Sequence, residues 1–299
     1  MAETTIEWTD RVWNPVRGCA LVSAGCTNCY AMKQAHRFSG KGKPYEGLTK
    51  MTSHGPTWTG RARIVPEMLN VPLLWRKPSR IFVNSMSDLM HEDVPDEFIA
   101  EVFAIMARCQ QHTFQLLTKR PERLHAFCNA ETRWWDIASK HYGKPLPNVW
   151  LGVSVEDQAT ADERIPLLLD TPAAIRFLSC EPLLAPIDFS PDFGNYDARD
   201  YLRGLLRYGE PGDAAGAGAG IVTEQGNKIN WVIIGGESGS AARRFDVEWA
   251  RSVIRQCREA RVPAFYKQGG ASNACPHDRA GGHIDCFPDD LKIREFPNA

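Results

Sequence analysis

The 299-residue sequence has no uninterrupted apolar run approaching the ~18–20 residues a membrane-spanning helix needs, so no span is expected. Residues 1–10 lack a basic segment leading into an apolar one, so no secretory signal peptide is expected either. Charge of one sign is missing too. The 35 Lys and Arg balance 36 Asp and Glu to a net −1, which excludes a uniformly basic nucleic-acid coat and leaves room only for a local patch. No G-x-G-x-x-G occurs, so a dinucleotide site has little support, although Gly235-Gly236 after a strand could cradle a phosphate. An even set of cysteines for a disulfide framework is also lacking, because there are nine and three crowd together. The expectation is a cytoplasmic protein whose thiols are free for metal. With 43% hydrophobic and 24% charged residues, the chain can build a sizeable core.

What stands out is the stretch from Trp13 to Arg37, where Cys19, Cys26 and Cys29 form C-x6-C-x2-C. The two-residue gap lets Cys26 and Cys29 reach one centre from a single turn of chain, and Cys19 returns to it across a loop holding Gly18, Ser23 and Gly25. Structural zinc sites normally close with four ligands, and electron-transfer iron–sulfur clusters also use four thiolates as a rule. Three thiolates leave a coordination position for something else, which points to chemistry.

After a first apolar run at 12–17 and a helix at 30–38, the sequence becomes rhythmic. Strand-like runs at 80–85, 113–118, 149–154, 174–179, 231–236 and 262–267 alternate with helical stretches. The helices are expected at 96–109, from Pro121, up to Leu169, and at 246–260. Such alternation means parallel βαβ units, and it predicts an α/β fold, an incomplete parallel (β/α) barrel of six to seven strands. An open doubly wound sheet is the second choice. The expected organisation is one barrel-like unit over 1–299, with insertions at about 40–79 and 185–229 and an irregular tail from about 269. The Gly/Ala-rich run at 209–220 reads as a mobile loop.

Each run ends in polar residues: Asn84, Ser85, Ser87 and Asp88, then Thr118, Lys119 and Arg120. Ser154, Glu156 and Asp157 follow, then Cys180 and Glu181, Glu237 and Ser238, and Lys267 and Gln268. Parallel α/β folds place their sites at strand C-termini. Any one of these residues could merely cap the next helix. Six strands ending alike favour a shared ligand-binding face.

The segments NPVRGC and GCTNCYA resemble the cluster loop of radical S-adenosylmethionine (SAM) enzymes, most closely the spore photoproduct lyase-like branch. The first gap is six residues here and three in that branch. Nearly the whole chain resembles a phage and prophage protein family marked by the WNP start and by SMSDL, LTKRP, GVSVED, SCEPLL and GGESG. Those motifs stand at Ser85–Leu89, Leu117–Pro121, Gly152–Asp157, Ser179–Leu184 and Gly235–Gly239. The resemblance implies a [4Fe–4S] cluster on Cys19, Cys26 and Cys29, with SAM at the fourth iron. It implies a 5′-deoxyadenosyl radical and a reductant such as flavodoxin or ferredoxin. Ser85, Ser87 and Asp88 would take the SAM amino group, and Ser154 and Glu156 the ribose hydroxyls or carboxylate. Lys119 and Arg120 would neutralise the carboxylate or a substrate phosphate. Glu237 sits in a Gly-Gly-Glu, as the family's SAM-binding glutamate does, but after the sixth strand. The catalytic candidates are Cys180, Glu181 and Lys267.

Residues 31–80 hold ten Lys and Arg against two Glu, interleaved with Tyr45 and Trp58. This suits either a solvated surface or a rim facing nucleic-acid phosphates. Together with the resemblance to the spore photoproduct lyase-like loop and to a phage family, the second reading gives the expectation of a nucleotide or nucleic-acid substrate. Cys275, His277, His283 and Cys286 could form a second metal site, or simply an exposed tail. The Trp134-Trp135 pair reads as helix packing, and Cys109, Cys128 and Cys257 as core. Two other functions fit the same residues. One is a non-catalytic iron–sulfur or zinc module acting on a host protein. The other is a nuclease-like enzyme holding Mg²⁺ on Asp88, Glu156, Asp157, Glu181 and Glu237.

Overall fold

A computed structural model describes residues 4–130, 144–190, 198–208, 222–239, 241–270 and 282–298. The predicted runs form one seven-stranded parallel sheet. In chain order its strands are β1 (Arg11–Trp13), β2 (Arg80–Val83), β3 (Thr113–Thr118), β4 (Val149–Ser154), β5 (Ile175–Cys180), β6 (Trp231–Gly235) and β7 (Ala264–Gln268). They lie side by side in that sequence order, and the two outer strands do not pair with each other. The sheet is a curled half-barrel, an incomplete (β/α) barrel, and the doubly wound alternative is set aside because the strand order never reverses.

Strand alternation sorts the side chains onto two faces. Ile81, Val83, Leu116, Leu151, Val153, Leu178, Val232 and Ile234 belong to the main core. They share it with the helices α2 (Asp96–Arg108), α3 (Pro121–Asn129), α4 (Gln158–Leu169) and α5 (Val247–Ala260). The opposite set, Phe82, Trp150, Phe177, Trp231, Ile233 and Phe265, forms a separate cluster on the concave side. Trp8 fills it from one end of the chain, 4.6 Å from Phe82 and 6.2 Å from Trp231 between ring centres. Phe296 fills it from the other, 5.3 Å from Trp231. The half-barrel therefore has an aromatic floor.

The tail expected to be irregular packs beneath the sheet. The indole N–H of Trp231 donates to the Glu295 carbonyl at 2.9 Å, and Phe265 bridges to Arg294. Two insertions carry structure that their sequences did not announce. The first holds an antiparallel ribbon, Val16–Gly18 with Ala62–Ile64, and a hairpin, Thr49–Thr52 with Gly55–Trp58. The hairpin packs on the short helix α1 (Tyr30–His36), where Trp58 joins Ala31, Met32 and Ala35 in a small cluster. The second holds a three-stranded antiparallel sheet, Ala198–Asp200, Leu205–Tyr208 and Val222–Gln225. Residues 209–221 and Trp134-Trp135 lie outside the described residues. No helix among the described residues is long and apolar enough to cross a membrane.

Candidate functional site

The concave parity that gives the aromatic floor continues upward in steps of two. It reaches Ser154 and Glu156 from β4, Ser179 and Glu181 from β5, Glu237 beyond β6 and Lys267 on β7. The cysteine loop follows β1 and the ribbon strand, so it closes over the same end. Between floor and loop lies a cavity of about 220 Å³. Its lining brings together Cys19, Cys26, Cys29, Ser85, Ser87, Asp88, Lys119, Ser154, Glu181, Glu237 and Lys267, all expected at the site.

Two expected residues are not on its wall. Cys180 has the opposite parity and packs fully buried in the helix-covered core, where burial raises its thiol pKa further than its neighbour Cys257 does. It is a small core residue, not a thiol facing the cavity. Glu156 is fully buried beneath the loop. It pairs with Lys119 and, at 3.2 Å, with Arg164, and it accepts from the Ser23 hydroxyl at 2.9 Å. Its role is to hold protein together. A Cβ added to Gly25 would stand 2.5 Å from the Glu156 carboxylate, so only glycine lets the loop approach this closely.

Other strand ends pin the loop as well. The Asn28 amide donates to Glu237 at 3.0 Å and to the Ala241 carbonyl at 2.9 Å. Arg243 clasps Glu237 and donates to the Ala24 carbonyl at 2.8 Å. Burial pushes the Glu237 carboxyl up, but hydrogen bonds from Arg243 and Asn28 outweigh it and hold the pKa below its ordinary value. Ser87 donates to the Val16 carbonyl at 2.8 Å, and Tyr30 donates to the Ser85 carbonyl at 2.8 Å. Asp88 accepts from Met90 and Lys119 backbone N–H groups, from the Thr118 hydroxyl, and from Arg120 at 2.8 Å. Asp157 caps α4 through a capping box with Thr160, as the capping reading allowed.

Sequence reasoning missed two contributors, Trp8 and Glu7. Trp8 lines the cavity, as does the strand-end residue Asn84, and their Nε1 and Nδ2 atoms are buried without a hydrogen-bond partner. Asn84 also has a positive φ of 61°, a turn conformation that asparagine tolerates. Glu7 lies near Lys267 and Glu181, and burial raises its pKa, with Lys267 opposing and Glu181 reinforcing. The Lys267 ammonium stands 3.0 Å from Glu181. The local signal for Trp8 and Glu7 was absent, because they precede β1 and enter the barrel from outside the strand pattern.

Burial pushes the Cys19 thiol up to about 12, helped by Asp88 and opposed by Arg120, and burial also raises Cys29. Metal loading on these two must therefore release protons. Among the described residues no group of three or more His, Cys, Asp or Glu side chains is arranged to hold a metal ion. Cys19, Cys26 and Cys29 share one cavity wall, and three thiols are a donor set that zinc and iron–sulfur centres both use. Magnesium on the strand-end acids would compete with the ion pairs of Asp88, Glu156, Glu181 and Glu237, each of which already has a cationic partner. In the tail, Cys275 and His277 lie outside the described residues, and Cys286 is disulfide-bonded, which removes it as a thiolate ligand.

The family model described as "Protein of unknown function (DUF5131)" matches residues 3–285, so the chain belongs to that family. No curated protein and no solved structure matches it.

Proposed function

We propose that this member of the family is a radical SAM-type iron–sulfur enzyme acting on a nucleotide or nucleic acid. The observation that carries the reading is the cysteine loop itself. It bears three cysteines and no fourth, and it is clamped by Glu156 and Glu237 over a cavity whose wall holds unpaired polar atoms. In this reading Cys19, Cys26 and Cys29 hold a [4Fe–4S] cluster. When bound, the cluster would pass one electron from a flavodoxin- or ferredoxin-type donor to SAM, whose S–C5′ bond would break to give methionine and a hydrogen-abstracting 5′-deoxyadenosyl radical.

The chain's own residues bind and orient. Ser85 and Ser154 on the wall offer hydroxyls, and Asn84 and Trp8 offer unpaired N–H donors. Arg120, beside both Asp88 and Cys19, offers positive charge for a carboxylate next to the cluster. The Glu181–Lys267 pair, within electrostatic reach of Glu7, is the substrate-facing acid–base group. The aromatic floor excludes water from below. The setting is the cytoplasm of a bacterial host carrying the gene on a phage or prophage.

A second reading, a non-catalytic iron–sulfur module binding a host protein, draws on the same clamps, since a structural centre also needs its loop held. The test is anaerobic reconstitution with iron and sulfide, followed by visible absorbance, for wild type and for Cys19→Ala, Cys26→Ala and Cys29→Ala. Wild type should gain the broad absorbance of an iron–sulfur centre, and each variant should lose it. If zinc alone fills the wild-type site after anaerobic purification, the reading fails.

A further inference from the structure

Arg17 sits in the ribbon strand Val16–Gly18, directly opposite Arg63 of Ala62–Ile64. Like charges facing each other across an antiparallel pair destabilise it. Among the described residues, no ion pair relieves either arginine; the Arg63 guanidinium instead donates to the neutral Pro44 carbonyl at 2.9 Å. Both line a cleft of about 390 Å³ together with Lys43, against a single acid, Glu67. Three cations line one cleft, two of them set opposite each other by strand register, an arrangement that a bound anion would relieve.

The cleft's place in the chain matters as much as its charge. Arg17 is followed by Gly18 and then by Cys19. Gly18 has φ +86°, and a Cβ there would meet the Arg61 carbonyl at 2.3 Å, so the ribbon and the cysteine loop meet at a close-packed joint. The exposed apolar residues Leu21 and Val22 follow on the loop, and the exposed Tyr30 begins α1. Val22 and Tyr30 also line the central cavity. Cations tracking a backbone next to exposed apolar and aromatic side chains are how unpaired strands are bound. A base within a duplex could not enter a concave cavity of this kind.

We propose that the Arg17–Lys43–Arg63 cleft is a phosphodiester-binding subsite that seats the backbone of a single-stranded nucleic acid beside the cysteine loop. This rests on the nucleic-acid part of the functional reading and gives it a location. Each phosphate contact removed should lower the slope of log affinity against log salt by about 0.7 on a single strand.

The experiment is fluorescence anisotropy of the full chain with labelled single-stranded DNA and RNA oligonucleotides over a range of salt. R17Q/K43Q/R63Q should flatten the slope by roughly 2 units. R76Q/K77Q, from the same basic segment but outside the cleft, should leave it unchanged. If the triple variant does not fold, K43Q alone should flatten the slope by about 0.7. No salt-sensitive binding by wild type overturns the proposal. So does equal flattening by both variants, or binding only to phosphatidylserine vesicles. The readout is binding, so a failure of SAM cleavage leaves it standing, and a failure of binding leaves the cluster reading to its own test.

Discussion

Glu156 shows how a strand-end acid can be essential to a site without facing its ligand. It is fully buried, and its charge is matched by Lys119 and by the equally buried Arg164. Removing one partner of a buried pair leaves the other charge uncompensated, at a cost of about 3–5 kcal/mol. Glu156→Gln should therefore lower unfolding stability in urea by that order and reduce iron uptake with it. A variant as stable as wild type would show that the clamp is weak. Cys180→Ser, by contrast, places an unpaired hydroxyl in the helix-covered core, at a cost of about 1–3 kcal/mol. The same denaturation curve reads it, and a neutral result would mean that Cys180 faces a polar space after all.

At the scale of elements, the loop and the strand ends form one unit. Gly25→Ala brings a Cβ to 2.5 Å of Glu156, so the loop must shift. Reconstituted iron per chain should fall while the sheet's far-ultraviolet circular dichroism is kept. Loss of both would instead make Gly25 a folding requirement. The Glu237–Arg243–Asn28 clamp adds a pH dependence. A carboxyl whose folded pKa is depressed contributes stability that is present above its unfolded value and lost as pH falls through the folded one. The melting temperature should thus lose a contribution as pH falls below the ordinary glutamate range, and E237Q should lack that component.

The strands were legible at this scale because their apolar runs repeat and end alike. The loop's anchoring was not, since Ser23–Glu156 and Asn28–Glu237 join residues 133 and 209 positions apart. The concave parity of Trp150, Ser154 and Glu156 was available in the sequence. Applied strand by strand, it would also have turned Cys180 away from the cavity.

For the whole molecule, a half-barrel lacks the strands that would close a full ring, and segments flanking the sheet pack into its concave side. Trp8 and Phe296 fill the floor, and the cysteine loop closes over the top. In the function proposed for this chain, the three thiols on the wall of this cavity carry a SAM-cleaving centre. Its most direct measurement is 5′-deoxyadenosine, detected by chromatography after the anaerobically reconstituted chain is mixed with SAM and dithionite. Release should depend on SAM and reductant and disappear in Cys26→Ala. A loaded cluster that leaves SAM intact would overturn the proposed function.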